Sequence, residues 1–397
     1  MENNIHISRF FYLPALSWFF IALAVRIFVM LLIHLYSLES GFEGFYPVAS
    51  GHDDVAYWAI SDSIQNGEVF DDVPNFYPFI LAILFSVTTR DLLIGKFLNV
   101  IADALTVYFG VLITHELLNN INKFQRDLEF SVKYTGLLLT FYPSKLFYST
   151  QLLKDPLLVL FGILNLYLSI LIFKRPKAYL LILWTFSLLG VYVFRSYAAI
   201  GLLLSLILYI LFMWNVKKSQ KIVAFILIII VCSLVAYVLR QGMFSIERIL
   251  PLINTEEIAR QREFAYSTGG SSTGVVIGYN NPFVFMYTYG LSCLTVMFGP
   301  FPWQLNSLVQ IIALPETILM WVICYHLLRS QFSKINQPKT KEETLLLIFS
   351  LVLIGIVAFF SDNIGANTRL RLLPWISFVI YTSIRFYRQR LLRVNPI

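Results

Sequence analysis

A pair of carboxylates opens the longest polar stretch in the first third of this chain. Asp53 and Asp54 begin it, and residues 55–64 behind them have the spacing of a short amphipathic helix that ends at Asn66 and Gly67. A carboxylate that reaches a hydroxyl can accept its proton as a general base. The pair therefore predicts acid–base chemistry at a helix lying on a membrane surface. Capping of the helix N-terminus is the alternative role for one of the two.

A third carboxylate of the same kind is Asp155, with Lys154 on one side and Pro156 on the other. Proline is favoured at the first position of a helix, so the predicted helix begins here, and Asp155 could also be its cap. We nevertheless predict that Asp53, Asp54 and Asp155 are catalytic, because the predicted topology brings all three to one face of the membrane.

The composition predicts an all-α, polytopic integral membrane protein. Of the 397 residues, 58% are hydrophobic and 13% are charged, against roughly 25% charged residues in soluble domains. Apolar runs of about 20 residues recur along the chain, which is the length that crosses a bilayer. The net charge of +7 is distributed as a membrane topology requires, so we expect no nucleic-acid partner.

About ten transmembrane helices are predicted, within one membrane domain that covers residues 1–397. Two further apolar stretches, 76–89 and 283–303, are interpreted as re-entrant or surface-lying helices, and twelve spans result if both cross. The predicted spans are 14–37, 92–118, 134–149, 155–173, 178–194, 197–214, 222–239, 306–328, 344–360 and 372–386.

The distribution of basic residues orients this arrangement. With both termini inside, most of the 30 basic residues lie in cytoplasmic loops, as the positive-inside rule requires. Residues 387–397 then form a basic cytoplasmic tail. Two large loops, 38–91 and 240–282, lie on the outer face and contain the acidic pair and the second large polar stretch.

The basic residues left on the outer face are mostly arginines, the side chain best suited to bidentate contacts with phosphate. Pairing with outer acidic residues is the alternative for any one of them. We predict a phosphate-binding set made of Lys154, Arg195, Arg260, Arg262, Arg369 and Arg371.

Three ionisable residues lie within predicted spans, where such residues are costly and usually have a function. Arg26 and Asp103 are predicted to form a structural pair between the first two spans, and Glu316 follows a helix-kinking proline. No spacing typical of metal ligands occurs. We therefore predict no resident metal or cofactor, and leave open whether a divalent metal takes part.

The acidic stretch resembles the first outer loop of the GT-C glycosyltransferases. The residues that carry the resemblance are DDVAYWAISDSIQNG followed by PNFYPFILAILF, and then LKDPLLVLF and NTRLRLLP later in the chain. The nearest branches are the protein O-mannosyltransferases and the lipid A aminoarabinose transferase. In this register Asp53 matches the family's catalytic aspartate, Asp54 its acidic neighbour and Asp155 its second acidic position. Tyr77 stands where aminoarabinose transferases have a basic residue.

The resemblance implies an inverting glycosyltransferase of the bacterial-type inner (plasma) membrane, with GT-C-like architecture, juxtamembrane helices on the outer face and its active site there. The donor would be a sugar linked to polyprenyl phosphate, and the acceptor a glycan, a lipid or a protein. Its products would belong to cell-surface glycan or exopolysaccharide synthesis.

Two other functions fit parts of the sequence. A Wzy-type polymerase would use the arginines of the 240–282 loop and would not depend on the acidic pair. A flippase or transporter for a lipid-linked sugar is the third alternative, but such proteins tend to show internal repeats, and none is evident here.

Overall fold

The computed structural model describes residues 12–47, 53–68, 73–118, 125–212, 229, 260, 275–279, 281–305, 314–331 and 340–394. Within these residues the chain is helical and contains no β-strand, which confirms the all-α prediction. Apart from residue 229, the predicted span 222–239 lies outside the described residues, and so does most of the 240–282 loop.

The described helices are numbered in chain order. The first seven are α1 (Leu13–Glu39), α2 (Asp53–Gln65), α3 (Tyr77–Val87), α4 (Leu92–Leu118), α5 (Gln125–Phe141), α6 (Pro143–Tyr148) and α7 (Asp155–Lys174). The other seven are α8 (Ala178–Phe194), α9 (Ser196–Phe212), α10 (Pro282–Phe298), α11 (Leu314–Gln331), α12 (Lys341–Phe360), α13 (Ile364–Leu370) and α14 (Leu372–Val394).

Four of these helices, α1, α4, α7 and α12, are long and apolar enough to cross a membrane. Five more apolar helices are shorter: α3, α8, α9, α10 and the first part of α14. A helix of 17 residues such as α8 extends about 26 Å, just less than the roughly 30 Å of hydrocarbon in a bilayer. Several long apolar helices are compatible with an integral membrane protein, but they do not establish ten spans.

Compact packing divides the chain into two units. The first contains Met1–Phe194, Leu327–Gln337 and Val379–Ile397, and the second contains Arg195–His326 and Pro338–Phe378. The helices α11 and α14 each contribute to both units. The three predicted catalytic carboxylates belong to the first unit, whereas the predicted arginines belong to the second.

The predicted span 134–149 differs from the structure, which divides this stretch between α5 and α6. Tyr142 separates them with φ −64° and ψ 118°, an extended conformation. The residue before a proline is disfavoured in the α region, so Pro143 ends the preceding helix and begins the next. The break directs Lys145, which follows Pro143 in the predicted span, into the interior, where it is 2% exposed.

A buried cluster of three charges joins α1, α4 and α6 in the first unit. Arg26 pairs with Asp103, as predicted, and Lys145 Nζ lies 2.6 Å from the same carboxylate oxygen. Two more guanidinium nitrogens of Arg26 donate to the carbonyls of Ala22 and Leu139. The structure thus confirms the predicted pair and adds a second cation to it.

Candidate active site

The two aspartates at the start of α2 have different environments. Asp54 is 1% exposed, and its carboxylate accepts hydrogen bonds from the backbone N–H groups of Tyr46 (2.7 Å) and Val55 (3.0 Å). Asp53, the first residue of the helix, is only half-buried. Asp54 therefore fastens α2 to the turn before it, and Asp53 is the better placed of the two to meet a substrate.

Lys96 on α4 stabilises the same turn, which contains Gly44 and Tyr46. The Lys96 ammonium is fully buried and donates to the Gly44 carbonyl at 2.5 Å. Gly44 has φ +86°, and a Cβ there would lie 2.5 Å from the His34 ring, so only glycine fits. The Asp54 carboxylate also attracts the Lys96 ammonium electrostatically. This cation thus balances the buried Asp54 charge.

Tyr77, at the start of α3, lies where the acidic loop meets the Asp155 segment. Its side chain is fully buried, and its ring packs edge-on against Tyr57 at 5.3 Å between centroids. Burial raises the pKa of the Tyr77 phenol well above its usual value, and the nearby Asp155 and Asp54 carboxylates act in the same direction. Both carboxylates therefore lie within electrostatic reach of one phenol, which stays protonated at neutral pH.

Asn99 on α4 connects this phenol to the segment before Asp155. Its side-chain amide donates to the carbonyls of Gln151 and Leu153, both at 2.7 Å, and the Tyr77 phenol lies beside it. All of these groups are buried. Asn99 therefore holds the turn 149–154 against α4, and this turn sets the position of Asp155 at the start of α7.

A second asparagine, Asn75, fixes the other side of Tyr77. Its side-chain amide donates to the Tyr57 hydroxyl at 3.1 Å, and its carbonyl oxygen accepts the Tyr77 N–H at 3.0 Å. Because Tyr57 is on α2 and Tyr77 on α3, Asn75 ties the two helices of the acidic loop together. The structure thus brings Asp53 and Asp54 of the first loop and Lys154 and Asp155 of the second to one end of the first unit.

The exposed side of α2 is anchored by Arg90, which pairs with Asp62 and stacks on Trp58 at 4.5 Å. Partial burial lowers the pKa of the Arg90 guanidinium, although not enough to remove its charge near neutral pH. Arg90 thus makes a surface contact with the helix that carries Asp53, and an exposed ion pair of this kind contributes only about 0–1 kcal/mol.

Arg371, one of the predicted phosphate ligands, has internal partners in the second unit. It is 1% exposed, lies 3.1 Å from a Glu316 carboxylate oxygen, donates to the Gly299 carbonyl and stacks on Trp375 at 4.2 Å. These contacts give it a structural role in joining α10, α11 and α14. Glu316, which the sequence singled out alone, is its partner.

The other predicted phosphate ligands are more accessible or lie outside the described residues. Arg195 and Arg369 are half-buried and Arg260 is exposed. The Arg195 guanidinium contacts the Tyr197 hydroxyl at 3.2 Å. Arg262 lies outside the described residues. Phosphate binding by this set stays a prediction, and among the residues that the structure describes no group of three or more His, Cys, Asp or Glu could hold a metal ion.

Lys96, Asn99 and Asp103 were not recognised as one feature of the sequence. They recur at intervals of three and four residues in an otherwise apolar helix, so they form one polar stripe along α4. This spacing is the signal that sequence reasoning missed. All three are buried, and their partners are the Gly44 turn, the turn before Asp155 and the Arg26–Lys145 pair.

No protein-family model matches this chain, and no curated protein does either. The resemblance to the GT-C glycosyltransferases therefore depends on the motifs alone. The function has to be argued from the arrangement of the carboxylates.

We predict that Asn99→Ala lowers both stability and activity. The substitution leaves the buried Leu153 carbonyl without its donor, at a cost of about 1–3 kcal/mol. It removes one of the two donors to the Gln151 carbonyl, which keeps the Leu153 N–H. It also frees the turn that positions Asp155. Thermal unfolding of the purified protein and a transfer assay on the same preparation measure the two effects.

Asn165→Ala is the matched control, because Asn165 is also buried and its amide donates to Trp184 and Ser187 between α7 and α8. This variant should lose comparable stability and keep its specific activity. If both variants lose activity in proportion to stability, Asn99 has no positioning role.

Proposed function

We propose that this protein is a membrane glycosyltransferase that transfers a sugar from a polyprenyl-phosphate donor to an acceptor hydroxyl. The observation that carries the proposal is the arrangement of the acidic pair, in which Asp54 is buried and held by backbone N–H groups while Asp53 stays accessible beside it. We therefore assign a structural role to Asp54 and the role of general base to Asp53. Asp155 and Asp54 both lie close enough to the Tyr77 phenol to affect its pKa, which supports a single site.

The proposed reaction needs one base and a cationic site for the leaving group. The acceptor oxygen attacks the anomeric carbon while Asp53 takes its proton, and the bond from that carbon to the phosphate oxygen breaks. The electron pair leaves with the polyprenyl phosphate, whose charge a cation stabilises. Lys154, next to Asp155, is the candidate cation in the unit that carries Asp53, and phosphate binding by Arg195, Arg260, Arg262 and Arg369 stays a prediction from the sequence. Attack from the opposite face inverts the sugar carbon.

The buried Tyr77 phenol keeps the two acidic loops together without joining the proton transfer. Because burial raises its pKa well above the usual value, the phenol is protonated at neutral pH. It can therefore donate to a neighbouring acceptor, and we expect it to limit the repulsion between the Asp54 and Asp155 carboxylates.

A transfer assay with defined donors tests this function. Membranes containing the protein are incubated with a labelled sugar on polyprenyl phosphate or on polyprenyl diphosphate, and label is followed into endogenous acceptors. Transfer from the monophosphate supports the proposal. Polymerisation from the diphosphate alone would assign the protein to the polymerase class instead. Movement of the labelled donor across the membrane without transfer would indicate a flippase.

We also propose the outer face of a bacterial-type inner membrane as the location of the site, with ten spans in total. The test uses single-cysteine variants in which the three cysteines of the chain are replaced and one cysteine is introduced either at Asp62, whose side chain is 42% exposed, or at the exposed Arg175. A membrane-impermeant thiol reagent should label the cysteine at position 62 in intact spheroplasts, and the cysteine at position 175 only after the membrane is opened. The reverse pattern would place the carboxylates on the cytoplasmic side.

A further inference from the structure

Arg385 on α14 is a buried cation that the proposed reaction does not use. It belongs to the first unit and is 5% exposed. Its Nε and Nη1 atoms are buried and have no hydrogen-bond partner, and among the described residues no carboxylate lies within ion-pair distance of it. Arg26 and Arg371, the other deeply buried arginines, each have a carboxylate partner. An unpaired buried charge is strongly unfavourable, so the arrangement calls for an anion.

Arg385 lies at one end of the first unit, and the carboxylates of Asp53, Asp54 and Asp155 lie at the other. Ile380 of α14 packs against Gly110 of α4, and Phe386 stacks on Tyr134 of α5 at 6.0 Å. The neighbour of Tyr134, Thr135, hydrogen-bonds Thr114 near the end of α4. Thr114 follows Asn99 by fifteen positions in one helix, which corresponds to about 22 Å along its axis.

The residues around Arg385 are of the kinds that bind a lipid headgroup. Phe386, Tyr134 and Phe130 form a stack whose outer rings are 40% and 38% exposed, and aromatic residues concentrate at membrane–water interfaces. Lys133 is exposed on α5 beside this stack. The sequence continues with Arg388, Arg390 and Arg393, a basic segment of the kind that anionic lipids attract.

Two acidic residues whose side chains the structure describes at this end, Glu116 and Glu129, do not supply the missing anion. Glu116, at the same end of α4, pairs with Lys174 at 3.3 Å, and Glu129 is exposed. Arginine presents a planar set of donors that matches the oxygens of a phosphate group. We propose that Arg385 binds the phosphate group of an anionic phospholipid at this end of the first unit. The inference does not depend on the proposed function.

Stability in defined lipid tests the proposal with the full-length protein. Wild type and Arg385→Met are placed in nanodiscs of phosphatidylcholine with or without phosphatidylglycerol, and apparent melting temperatures are measured. Phosphatidylglycerol should raise the wild-type value, since a ligand that binds only the folded state stabilises it. Arg385→Met should lose this rise, and its lipid affinity should fall about tenfold or more, because a charge-assisted hydrogen bond is lost.

Two comparisons separate lipid binding from a purely structural role. In phosphatidylcholine alone, whose phosphate is balanced by its own choline, Arg385→Met should be at least as stable as wild type, because an apolar side chain replaces a buried charge that has no net counter-charge. Lys133→Gln, which removes an exposed cation at the same end, should keep most of the phosphatidylglycerol effect.

Inorganic phosphate in phosphatidylcholine nanodiscs at matched ionic strength identifies the source of the anion. No effect of phosphate, with a full effect of phosphatidylglycerol, supports the lipid. An equal rise with inorganic phosphate would overturn the lipid assignment in favour of a free anion. An equal phosphatidylglycerol effect in wild type and Arg385→Met, or no effect of either probe on wild type, would overturn the proposal.

Discussion

Asp53→Asn is expected to lower sugar transfer by about 10²–10⁴-fold, because a positioned general base contributes a factor of this size. The amide is nearly isosteric with the carboxylate but cannot accept the proton of the attacking hydroxyl. Since Asp53 is half-buried at the start of α2, the fold should tolerate the change. Initial rates at saturating donor, measured at matched protein level, are the test.

Asp62→Asn is the matched control, because it makes the same chemical change on the same helix. The Asp62 side chain is 42% exposed and pairs with Arg90 on the surface, and such a pair contributes about 0–1 kcal/mol. Its transfer rate should stay near that of wild type. Full activity of Asp53→Asn would remove Asp53 from the mechanism and favour an arginine-dependent polymerase.

Asp54→Asn serves as a second comparison, because it changes the neighbouring residue of the pair. It weakens the acceptor of two backbone N–H groups and removes the anion near Lys96. We therefore expect a loss of thermal stability from Asp54→Asn that Asp53→Asn does not show. Equal stability losses in the two variants would contradict the separation of roles inferred from their burial.

Asp103→Asn should be the most destabilising of the substitutions considered, at about 3–5 kcal/mol, because it leaves buried cations without their counter-charge. Arg26 and Lys145 both depend on its carboxylate, and all three residues are at most 2% exposed. Thermal unfolding of the purified protein in detergent measures the effect. Asp91→Asn is the control: Asp91 is exposed just before the same helix and caps it through the Leu93 N–H, and because Asn caps a helix about as well as Asp, the loss should be at most a few tenths of a kcal/mol.

Lys145→Met distinguishes the two cations of this cluster. Removing Lys145 leaves Arg26 and Asp103 as a one-to-one pair, and Arg26 keeps its donation to the carbonyls of Ala22 and Leu139. We therefore expect a smaller loss of stability than in Asp103→Asn. A larger loss would show that Lys145, and not the carboxylate, holds α6 in place.

The sequence by itself determined the features that depend on local composition and spacing. Apolar runs predicted the helices α1, α4, α7 and α12 to within a few residues, because burial in lipid requires a long uninterrupted apolar stretch. The start of α7 at Asp155 followed from Pro156, whereas α2 was predicted to begin at residue 55 and begins two positions earlier, at Asp53. The Arg26–Asp103 pair could also be predicted, because ionisable residues inside a membrane need partners.

Only the tertiary structure decided which of two residues of the same type is structural and which is accessible. Asp53 and Asp54 are identical in type, and the burial of Asp54 depends on the Tyr46 turn and on Lys96 from another helix. Tyr77 contacts Asn99, which is 22 positions away in the sequence. Asn99 also contacts the turn before Asp155, about 50 positions further along the chain. Hydropathy and helical periodicity are local, so they carry no information on the register between helices.

The same reason explains the basic residues. The positive-inside rule counts charges on each side of the membrane, but it does not say which of them fold inward. Lys145 is buried because Pro143 starts a new helix that points it at Asp103, and Arg371 is buried because Glu316 of another helix lies beside it. Arg385 is also buried, at 5% exposure, but no carboxylate of the described residues pairs with it. This contrast became visible only once the helices were packed together.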